Sequence, residues 1–388
     1  SIAYFDFDGM VDVRVISNKE RVNSARVRPL SYKITPDCVG DTVTFSLSRP
    51  RNLSVEVNGD IFHNLHLFAN PIDKFRPSDK EIQRALKKKK GSNLIYFGPG
   101  VHNLPNDTLF VPSGTRVYGN IFTEGAHDVN IFGRGEVHPD GRGAGVWVRR
   151  SKNVRIDGIV VSQLPIGQCD SVELTNVKSI SYYGWGDGMD VFSSSNVILD
   201  GVFCRNSDDC AAVYASTQGF KGGSNNVLVK NATLWADVAH PINIGGHGDP
   251  NGMDTVQNVT FRNIDILDQA EKQIDYQGCL AINPGDNTLV RNITFENIRI
   301  EDFRNGQLVN FRISFNPKYC VSTGRGIQNV LVKDVTYNGS GENLSIIAGY
   351  DENHKISGIR FVNLVVNGRK ITDDMPGKPK WYKTGDMA

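Results

Sequence analysis

Short apolar segments that end in asparagine, aspartate or glycine follow one another through most of the chain. The clearest of them start with an Asn-Val or Asn-Ile pair, and Gly358-Ile-Arg-Phe361 is a degenerate last copy. A recurrence of about 20 to 50 residues is typical of stacked repeats. Val172-Glu-Leu174 falls inside the first and longest interval, which therefore fits two repeats. The pairs begin at Asn153, Asn196, Asn226, Asn258, Asn292 and Asn329.

These repeats predict a parallel β-helix. Each unit contains short β-branched strands with Asn or Gly at the bends, and no amphipathic pattern of helical length separates one unit from the next. A βαβ architecture is therefore disfavoured. Stacked coils of such a solenoid would bury a continuous apolar column, and each strand would pair with its counterpart one coil away.

The first part of the chain has a different pattern. Alternating or apolar runs at 11–15, 42–47 and 53–57, with a turn signal at Asn58-Gly59, predict a small β-sandwich domain over 1–75. Ser78 and Glu81 then have capping-box spacing, which predicts a helix over 78–90. We expect this helix to cover the open N-terminal end of a β-helix domain that extends over 76–388. The next strands are predicted at 93–97, 108–111 and 116–118.

Composition excludes several classes of function. The chain has 43 Lys and Arg against 42 Asp and Glu, a formal charge of +1, which argues against a nucleic-acid binder. No apolar stretch approaches the roughly 20 residues of a membrane span, and the first residues lack the pattern of a signal peptide. The six cysteines form no CxxC pair, so we predict no zinc site. Cys204 and Cys210 are either a small disulfide loop or two separate buried thiols.

A group of aspartates is the strongest candidate for chemistry. Asp187 and Asp190 lie in one segment and Asp208 and Asp209 in another, and Asp208 follows Asp187 by 21 residues, close to one coil. Because stacked strands are about 4.8 Å apart, neighbouring coils would bring these carboxylates together. Two such carboxylates cannot ionise independently, so one pKa should rise, as general acid–base catalysis requires. An ordinary solvated Asp-Asp turn is the alternative.

Two further residues continue this spacing. His247, between glycines, follows Asp209 by 38 residues, and Arg312 follows His247 by 65 residues, about two coils. Each is also compatible with an ordinary surface position. Aromatic residues of the same region either stack on sugar rings or only stabilise the coils. They are Tyr182, Tyr183, Trp185, Tyr214, Trp235 and Tyr276.

The order of these motifs resembles a known group of enzymes. Asp187-Gly-Met-Asp190, Asp208-Asp209-Cys210 and Gly246-His247-Gly248 on a right-handed parallel β-helix are similar to the polygalacturonase-like glycoside hydrolases of family 28 and the related dextranase and isopullulanase family 49. The resemblance covers about residues 91–370. It implies inverting hydrolysis of a polysaccharide, with Asp208 as the acid, Asp187 and Asp209 as activators of the attacking water, and His247 beside the acid.

Departures from the polygalacturonase motifs bear on the substrate. Trp185-Gly186 replaces the usual Asn-Thr, and Arg312-Ile-Ser314 replaces the Arg-Ile-Lys that binds the substrate carboxylate. The N-terminal domain is more like that of the dextranase family. We therefore favour a neutral glucan as substrate, bound by Arg312 and by the aromatic residues Trp185, Tyr214 and Tyr276, without cofactor or metal. The resemblance also implies a secreted or periplasmic monomer whose only partner is its saccharide substrate.

Three alternatives remain open at this point. The first is a pectin hydrolase of the polygalacturonase or rhamnogalacturonase type. The second is a β-helix polysaccharide lyase, in which the aspartates would hold calcium and a Lys or Arg would act as the base. The third is a β-helix that binds glycans without cleaving them.

Overall fold

The computed structural model describes residues 1–74, 76–87, 108–139, 141–273, 278–341, 343–375 and 382–385. Within this part of the chain, the first 71 residues form two small sheets that share one apolar core. One sheet has the order β1-β7-β6-β3 and the other β2-β5-β4. The strands are β1 (Ile2–Phe7), β2 (Val11–Ile16), β3 (Ala25–Arg28), β4 (Asp37–Val39), β5 (Thr42–Leu47), β6 (Arg51–Val57) and β7 (Asp60–Pro71), and a 3-10 turn spans Leu30–Tyr32.

A helix, α1 (Asp79–Leu86), follows the two sheets. The side chain of Ser78 accepts a hydrogen bond from the Glu81 amide, and the Glu81 carboxylate accepts one from the Ser78 amide. This is the predicted capping box. Residues 88–107, with the end of the predicted helix and the predicted strand 93–97, lie outside the described residues, and the capping role of α1 stays a prediction.

The remaining strands form a parallel β-helix, to which the short strand 369–370 adds an antiparallel pairing. They are β8 (Thr108–Val111), β9 (Arg116–Tyr118), β10 (Ile121–Glu124), β11 (His127–Gly133), β12 (Glu136–His138), β13 (Val146–Arg149), β14 (Lys152–Asp157), β15 (Val160–Val161), β16 (Ile166–Gly167), β17 (Asp170–Thr175), β18 (Lys178–Ile180), β19 (Met189–Phe192), β20 (Ser195–Asp200), β21 (Phe203–Asn206), β22 (Ala211–Tyr214), β23 (Ser224–Lys230), β24 (Thr233–Ala236), β25 (Ile242–Ile244), β26 (Thr255–Asp268), β27 (Leu280–Ile282), β28 (Leu289–Ile300), β29 (Val309–Arg312), β30 (Gly326–Tyr337), β31 (Ser345–Ala348), β32 (Ile356–Val366), β33 (Arg369–Lys370) and β34 (Tyr382–Gly385).

Strand register confirms the repeat read from the sequence. Val154 pairs with Val172 and Val172 with Val197, so the interval from Asn153 to Asn196 does contain two coils. The same register continues through the later copies to Ile359. These apolar side chains belong to one core that runs along the solenoid.

Asparagines stack at one corner of the coils. Asn196, Asn226, Asn258, Asn292 and Asn329 all have a φ between 56° and 57°, a left-handed conformation that asparagine tolerates better than most residues. Their side-chain amides bond from coil to coil, with distances of 2.7 Å from Asn226 to Asn196 and 3.2 Å from Asn292 to Asn258. We call this row the asparagine ladder.

The coils expose a ten-stranded sheet with the order β10-β13-β16-β19-β22-β25-β27-β29-β31-β34. We call the turns that precede its strands leading turns and those that follow them trailing turns. Side chains of this sheet point alternately into the core and outward. Val309 and Phe311, for example, lie in the core, so Asn310 and Arg312 point outward. The outer face and the turns that flank it form the groove described below.

The two N-terminal sheets pack against other strands of the β-helix through charged and polar contacts. Arg28 forms ion pairs with Glu56 at 2.9 Å and with Glu301 at 2.7 Å. The buried Lys178 donates a hydrogen bond of 2.6 Å to Asn70, and Arg205 donates one of 2.9 Å to Asn64.

Trp235, which the sequence placed among the aromatic residues of the candidate site, is fully buried on the side where these sheets pack. The guanidinium carbons of Arg28 and Arg205 lie 4.9 and 4.1 Å from its ring. Its outward position on the coil therefore faces the N-terminal sheets, away from the groove.

Two other features bear on the sequence predictions. All six cysteines are free thiols, and Cys204 and Cys210 are buried in the column, so the reading as separate thiols is confirmed. Among the described residues, no helix has the length and apolar character needed to cross a membrane.

Candidate active site

Three aspartates from two adjacent leading turns meet at the outer face of the ten-stranded sheet. Asp187 precedes β19, whereas Asp208 and Asp209 precede β22. One carboxylate oxygen from each of the three lies within 4.8 Å of those of the other two. The register Met189 to Ala211 places Asp187 beside Asp209 on the neighbouring coil. The spacing of one coil thus brings these carboxylates together, as the sequence predicted.

Close backbone packing fixes this geometry. The Gly188 amide donates a 2.7 Å hydrogen bond to the Asp209 carbonyl oxygen, and the Met189 amide donates one of 2.9 Å to Cys210. A β-carbon at Gly188 would collide with the Cys210 carbonyl group. The Asn206 side chain also donates to the Asp187 carbonyl oxygen at 3.3 Å. Glycine is therefore required between Asp187 and the strand.

Asp209 is buried and its two oxygens accept several hydrogen bonds. His240 Nδ1 lies 2.6 Å from Oδ1, and the His240 amide donates to the same oxygen at 3.0 Å. Oδ2 accepts from Asn243 at 2.8 Å and from the Tyr214 hydroxyl at 2.5 Å. Burial acts to raise the pKa of Asp209, but His240 and these hydrogen bonds outweigh it and lower the pKa to about 2.

The other two carboxyl groups shift in the opposite direction. Burial, reinforced by the charge of Asp209, raises the pKa of Asp208 to about 7. Burial and the charges of Asp208 and Asp209 raise the pKa of Asp187 to about 8. The cluster therefore holds one firmly ionised carboxylate beside carboxyl groups that keep protons near neutrality. This combination is suited to general acid–base chemistry.

Asp190 lies on the same outer face, on β19, and is only 5% exposed. Burial, with the charges of Asp187 and Asp209, raises its pKa well above the ordinary value. A neutral Asp190 avoids adding a further negative charge to the cluster.

His240 is the site residue that the sequence reasoning missed. It extends the row of Asp187 and Asp209 by one coil, since Ala211 pairs with Ile242, and its ring contacts Asp209 directly. The sequence assigned the place beside the acids to His247. In the structure the His247 ring packs edge-on against Tyr214, with 5.0 Å between ring centroids, and bonds to the main chain of Tyr319.

The predicted sugar-binding residues have different surroundings. Tyr214 is 6% exposed and stacks on Phe192 with 5.8 Å between centroids, so little of its ring is open to a sugar. Its hydroxyl instead supports Asp209. Trp185 is 63% exposed beside the acids. Arg312 lies on the outer face of β29, farther along the groove, and Tyr276 lies outside the described residues.

The cluster has oxygen donors that would suit a calcium ion. However, the hydrogen bonds from His240, Asn243 and Tyr214 already use the Asp209 oxygens. Asp187 and Asp208 also have raised pKa values and would have to lose protons to become ligands. The donor set therefore fits proton transfer better than cation binding.

Residues 146–375 match the family model described as glycosyl hydrolases family 28. The chain belongs to this family. It is 26% identical over 306 residues to a probable endopolygalacturonase D of Emericella nidulans, which covers 69% of this chain and 55% of that protein. It is 25% identical over 243 residues to an exopolygalacturonase of Cochliobolus carbonum, with 52% of each covered. The chain thus spans about half the length of these curated relatives.

Among solved structures, the family 28 exopolygalacturonase of Yersinia enterocolitica matches with a TM-score of 0.49 and 11% identity, over 89% of this chain and 85% of that one. Membership of family 28 agrees with the parallel β-helix seen in the structure. The sequence-based preference for a neutral glucan is not supported, because the family and the relatives favour the polygalacturonase alternative.

Proposed function

We propose that the protein hydrolyses glycosidic bonds of a polygalacturonate-type polysaccharide, with Asp208 as the general acid. Asp208 donates its proton to the departing glycosidic oxygen. Asp209, which is ionised, is the base toward the water that attacks the anomeric carbon, and Asp187, which keeps its proton near neutrality, orients this water by hydrogen bonding. His240 and Asn243 hold Asp209 in its ionised state and are positioning residues.

One observation carries this proposal. Three carboxyl groups converge at the surface of the groove, and their pKa values move apart, to about 7 for Asp208 and about 2 for Asp209. An acid and a base can therefore coexist at one pH, as bond cleavage with proton donation requires.

The choice of a uronate substrate has two supports. The relatives named above are polygalacturonases. The groove also contains cationic side chains beside its acidic ones, because Arg312 lies on its outer face and Lys318 interacts electrostatically with Glu271 and Asp208. Cations at this place would favour a substrate that bears carboxylates.

The stereochemical outcome needs a direct measurement. Inverting glycosidases usually separate their carboxyl groups by about 6.5 to 9.5 Å, and retaining ones by about 5 to 5.5 Å. Here one oxygen of each of the three carboxyl groups lies within 4.8 Å of one oxygen of each of the other two, closer than the separation typical of inverting enzymes. Inversion is therefore proposed from the family resemblance, and NMR of the first anomer released from the substrate decides it.

The main test compares wild type with Asp208→Asn on polygalacturonate, rhamnogalacturonan, dextran and pullulan, with release of reducing ends as the readout. We expect release from polygalacturonate, reduced by about 10² to 10⁴-fold in the variant. Asp8→Asn, at an exposed position of the N-terminal sheets, serves as the matched control. Cleavage of dextran or pullulan alone would contradict the proposed uronate substrate. An unsaturated, ultraviolet-absorbing product would indicate a lyase.

A polymeric substrate also bears on location and assembly. Long polysaccharide chains do not cross a cell membrane, so we infer that the protein acts outside the cytoplasm. All of the proposed groups come from one chain, which agrees with action as a monomer.

A further inference from the structure

A loop from a distant coil crosses the groove near the acids. We call residues 314–323, which follow β29, the strap. They belong to a trailing turn, on the opposite side of the ten-stranded sheet from Asp187 and Asp208. Nevertheless the ring of Tyr319 lies 6.4 Å from that of Trp185, and Lys318 Nζ lies 5.6 Å from the Trp185 ring. Trp185 is in the leading turn that also carries Asp187.

The contact between the strap and Trp185 extends both along the groove and across it. The sheet order β19-β22-β25-β27-β29 puts four strand spacings, about 19 Å, between the coil of Trp185 and the coil where the strap begins. The contact also joins the two sides of the groove, because Trp185 precedes its strand and the strap follows its own. The strap therefore runs diagonally over the outer face of the sheet.

The base of the strap is fastened to the trailing turns beneath it. Cys320 Sγ lies 3.3 Å from the Gly246 carbonyl oxygen. The amides of Val321 and Ser322 donate to Asp286 Oδ1 at 2.7 and 3.1 Å. A β-carbon at Gly285 would collide with the sulfur of Cys320. The strap thus has a defined seat that includes a glycine at the point of closest approach.

The far end of the contact is also held. Trp185 has a positive φ of 62°, and its carbonyl oxygen accepts a 2.8 Å hydrogen bond from the Gln163 side chain. On the strap side, His247 bonds to the main chain of Tyr319 while it packs against Tyr214. His247, which the sequence assigned to catalysis, therefore links the strap to the residue that supports Asp209.

We propose that the strap, through its contact with Trp185, roofs the groove at the acids and restricts the enzyme to cleavage from chain ends. In an open groove, a polymer can settle on the acids at any internal bond. Under a roof that joins the two walls, it has to enter by one of its ends. This inference rests on the proposed hydrolysis of polygalacturonate and adds the position of the bond that is cut.

The test follows product size and viscosity together during digestion of polygalacturonate. From the wild type we expect one short product from the start, with little loss of viscosity for each reducing end released. An early ladder of intermediate oligomers with a rapid fall in viscosity would overturn the inference. Absence of reducing ends from wild type and all strap variants would instead contradict the proposed function, and the same comparison would then use whichever glycan is cleaved.

Variants of the strap separate the contact from other effects. The double variant Lys318→Ala with Tyr319→Ala removes the side chains that meet Trp185, and we expect the loss of viscosity per reducing end to increase several-fold. Val321→Ala, an exposed strap position away from this contact, should leave the ratio unchanged. Gly285→Ala displaces the seat of the strap without altering the tip and should change the ratio in the same direction as the double variant. Unchanged ratios in both would contradict the roof.

Discussion

The partners of a single carboxylate, Asp209, set the electrostatics of the site. Burial alone would favour the protonated form, yet His240, Asn243 and Tyr214 together stabilise the ionised form. Its fixed negative charge in turn favours the proton on Asp208. The pH range expected for the proposed hydrolysis therefore depends on the residues that bond to Asp209.

Replacement of His240 by alanine should move the acid limb of the pH–rate profile. Without His240, burial of Asp209 is less well compensated, so its pKa rises from about 2 and activity is lost at a higher pH on the acid side. The alkaline limb, set by loss of the Asp208 proton near its pKa of about 7, should move less. The profile of kcat/KM against pH measures both limbs.

The matched variant is His247→Ala. The His247 ring packs against Tyr214, bonds to the Tyr319 main chain and interacts with Asp209 electrostatically, whereas His240 lies 2.6 Å from this carboxylate. The acid limb of the His247→Ala profile should stay closer to that of the wild type. A larger displacement in His247→Ala than in His240→Ala would reverse the roles of the two histidines.

One physical reason explains why the sequence brought the acids together and pointed to His247 without noticing His240. Coil spacing locates residues that share a position on successive coils, and Asp187 and Asp209 do so. His240 obeys the same rule, 31 residues after Asp209, but it lies between Ala239 and Pro241 and lacks the flanking glycines that drew attention to His247. The interval of 30 residues from Asn196 to Asn226 was a usable signal for it.

At the scale of elements, the asparagine ladder combines a left-handed backbone with side-chain bonds between coils. Asn292 has a φ of 57° and bonds to Asn258 on one side and Asn329 on the other, at 3.2 and 3.3 Å. These features explain why the repeat was visible in the sequence. An asparagine at this corner both tolerates the left-handed backbone and supplies the side-chain bond to the next coil, so it recurs in coil after coil.

Two substitutions at Asn292 separate these contributions. Asn292→Ala loses the side-chain bonds and adds the backbone cost of about 1 to 2 kcal/mol for a left-handed alanine, whereas Asn292→Gly loses the bonds and adds the smaller entropic cost of about 0.5 to 1 kcal/mol for a glycine. We expect the alanine variant to be the less stable of the two, measured by urea or thermal unfolding. Equal stability of the two variants would show that the left-handed backbone costs alanine no more than the lost chain entropy costs glycine.

At the scale of the whole molecule, polar groups at the contact between the N-terminal sheets and the β-helix were beyond sequence reasoning. Lys178 looks like an ordinary strand lysine, and only the fold shows that it is buried against Asn70 and 5.4 Å from the ring centroid of Phe68. The sequence predicted both units because each has its own pattern. Their packing depends on which outward residues meet, and no periodicity records that.

Lys178→Met should stabilise the protein at neutral pH. Burial lowers the pKa of Lys178 well below its ordinary value, so between the lowered pKa and the unfolded value of about 10.4 the unfolded chain binds the extra proton. Wild-type stability in that window rises with pH, and the advantage of the variant shrinks by up to about 1.4 kcal/mol per pH unit. Unfolding free energies from pH 6 to 10, with the exposed Lys152→Met as control, check this. A variant that is less stable than the wild type at every pH would refute it.

The placement of the N-terminal sheets has a consequence for partial unfolding. Their described hydrogen bonds with the β-helix involve residues from Gly114 to Glu301, a range that includes the coils of the acids. The strap lies beyond this range, between β29 and β30. A solenoid frays coil by coil from its less supported end. Amide hydrogens of the C-terminal coils should thus exchange with deuterium before those around Asp209. In mild denaturant, the strap would therefore be released while Asp209 and its neighbours are still folded. Bonds inside a polymer would then become accessible to the hydrolytic centre.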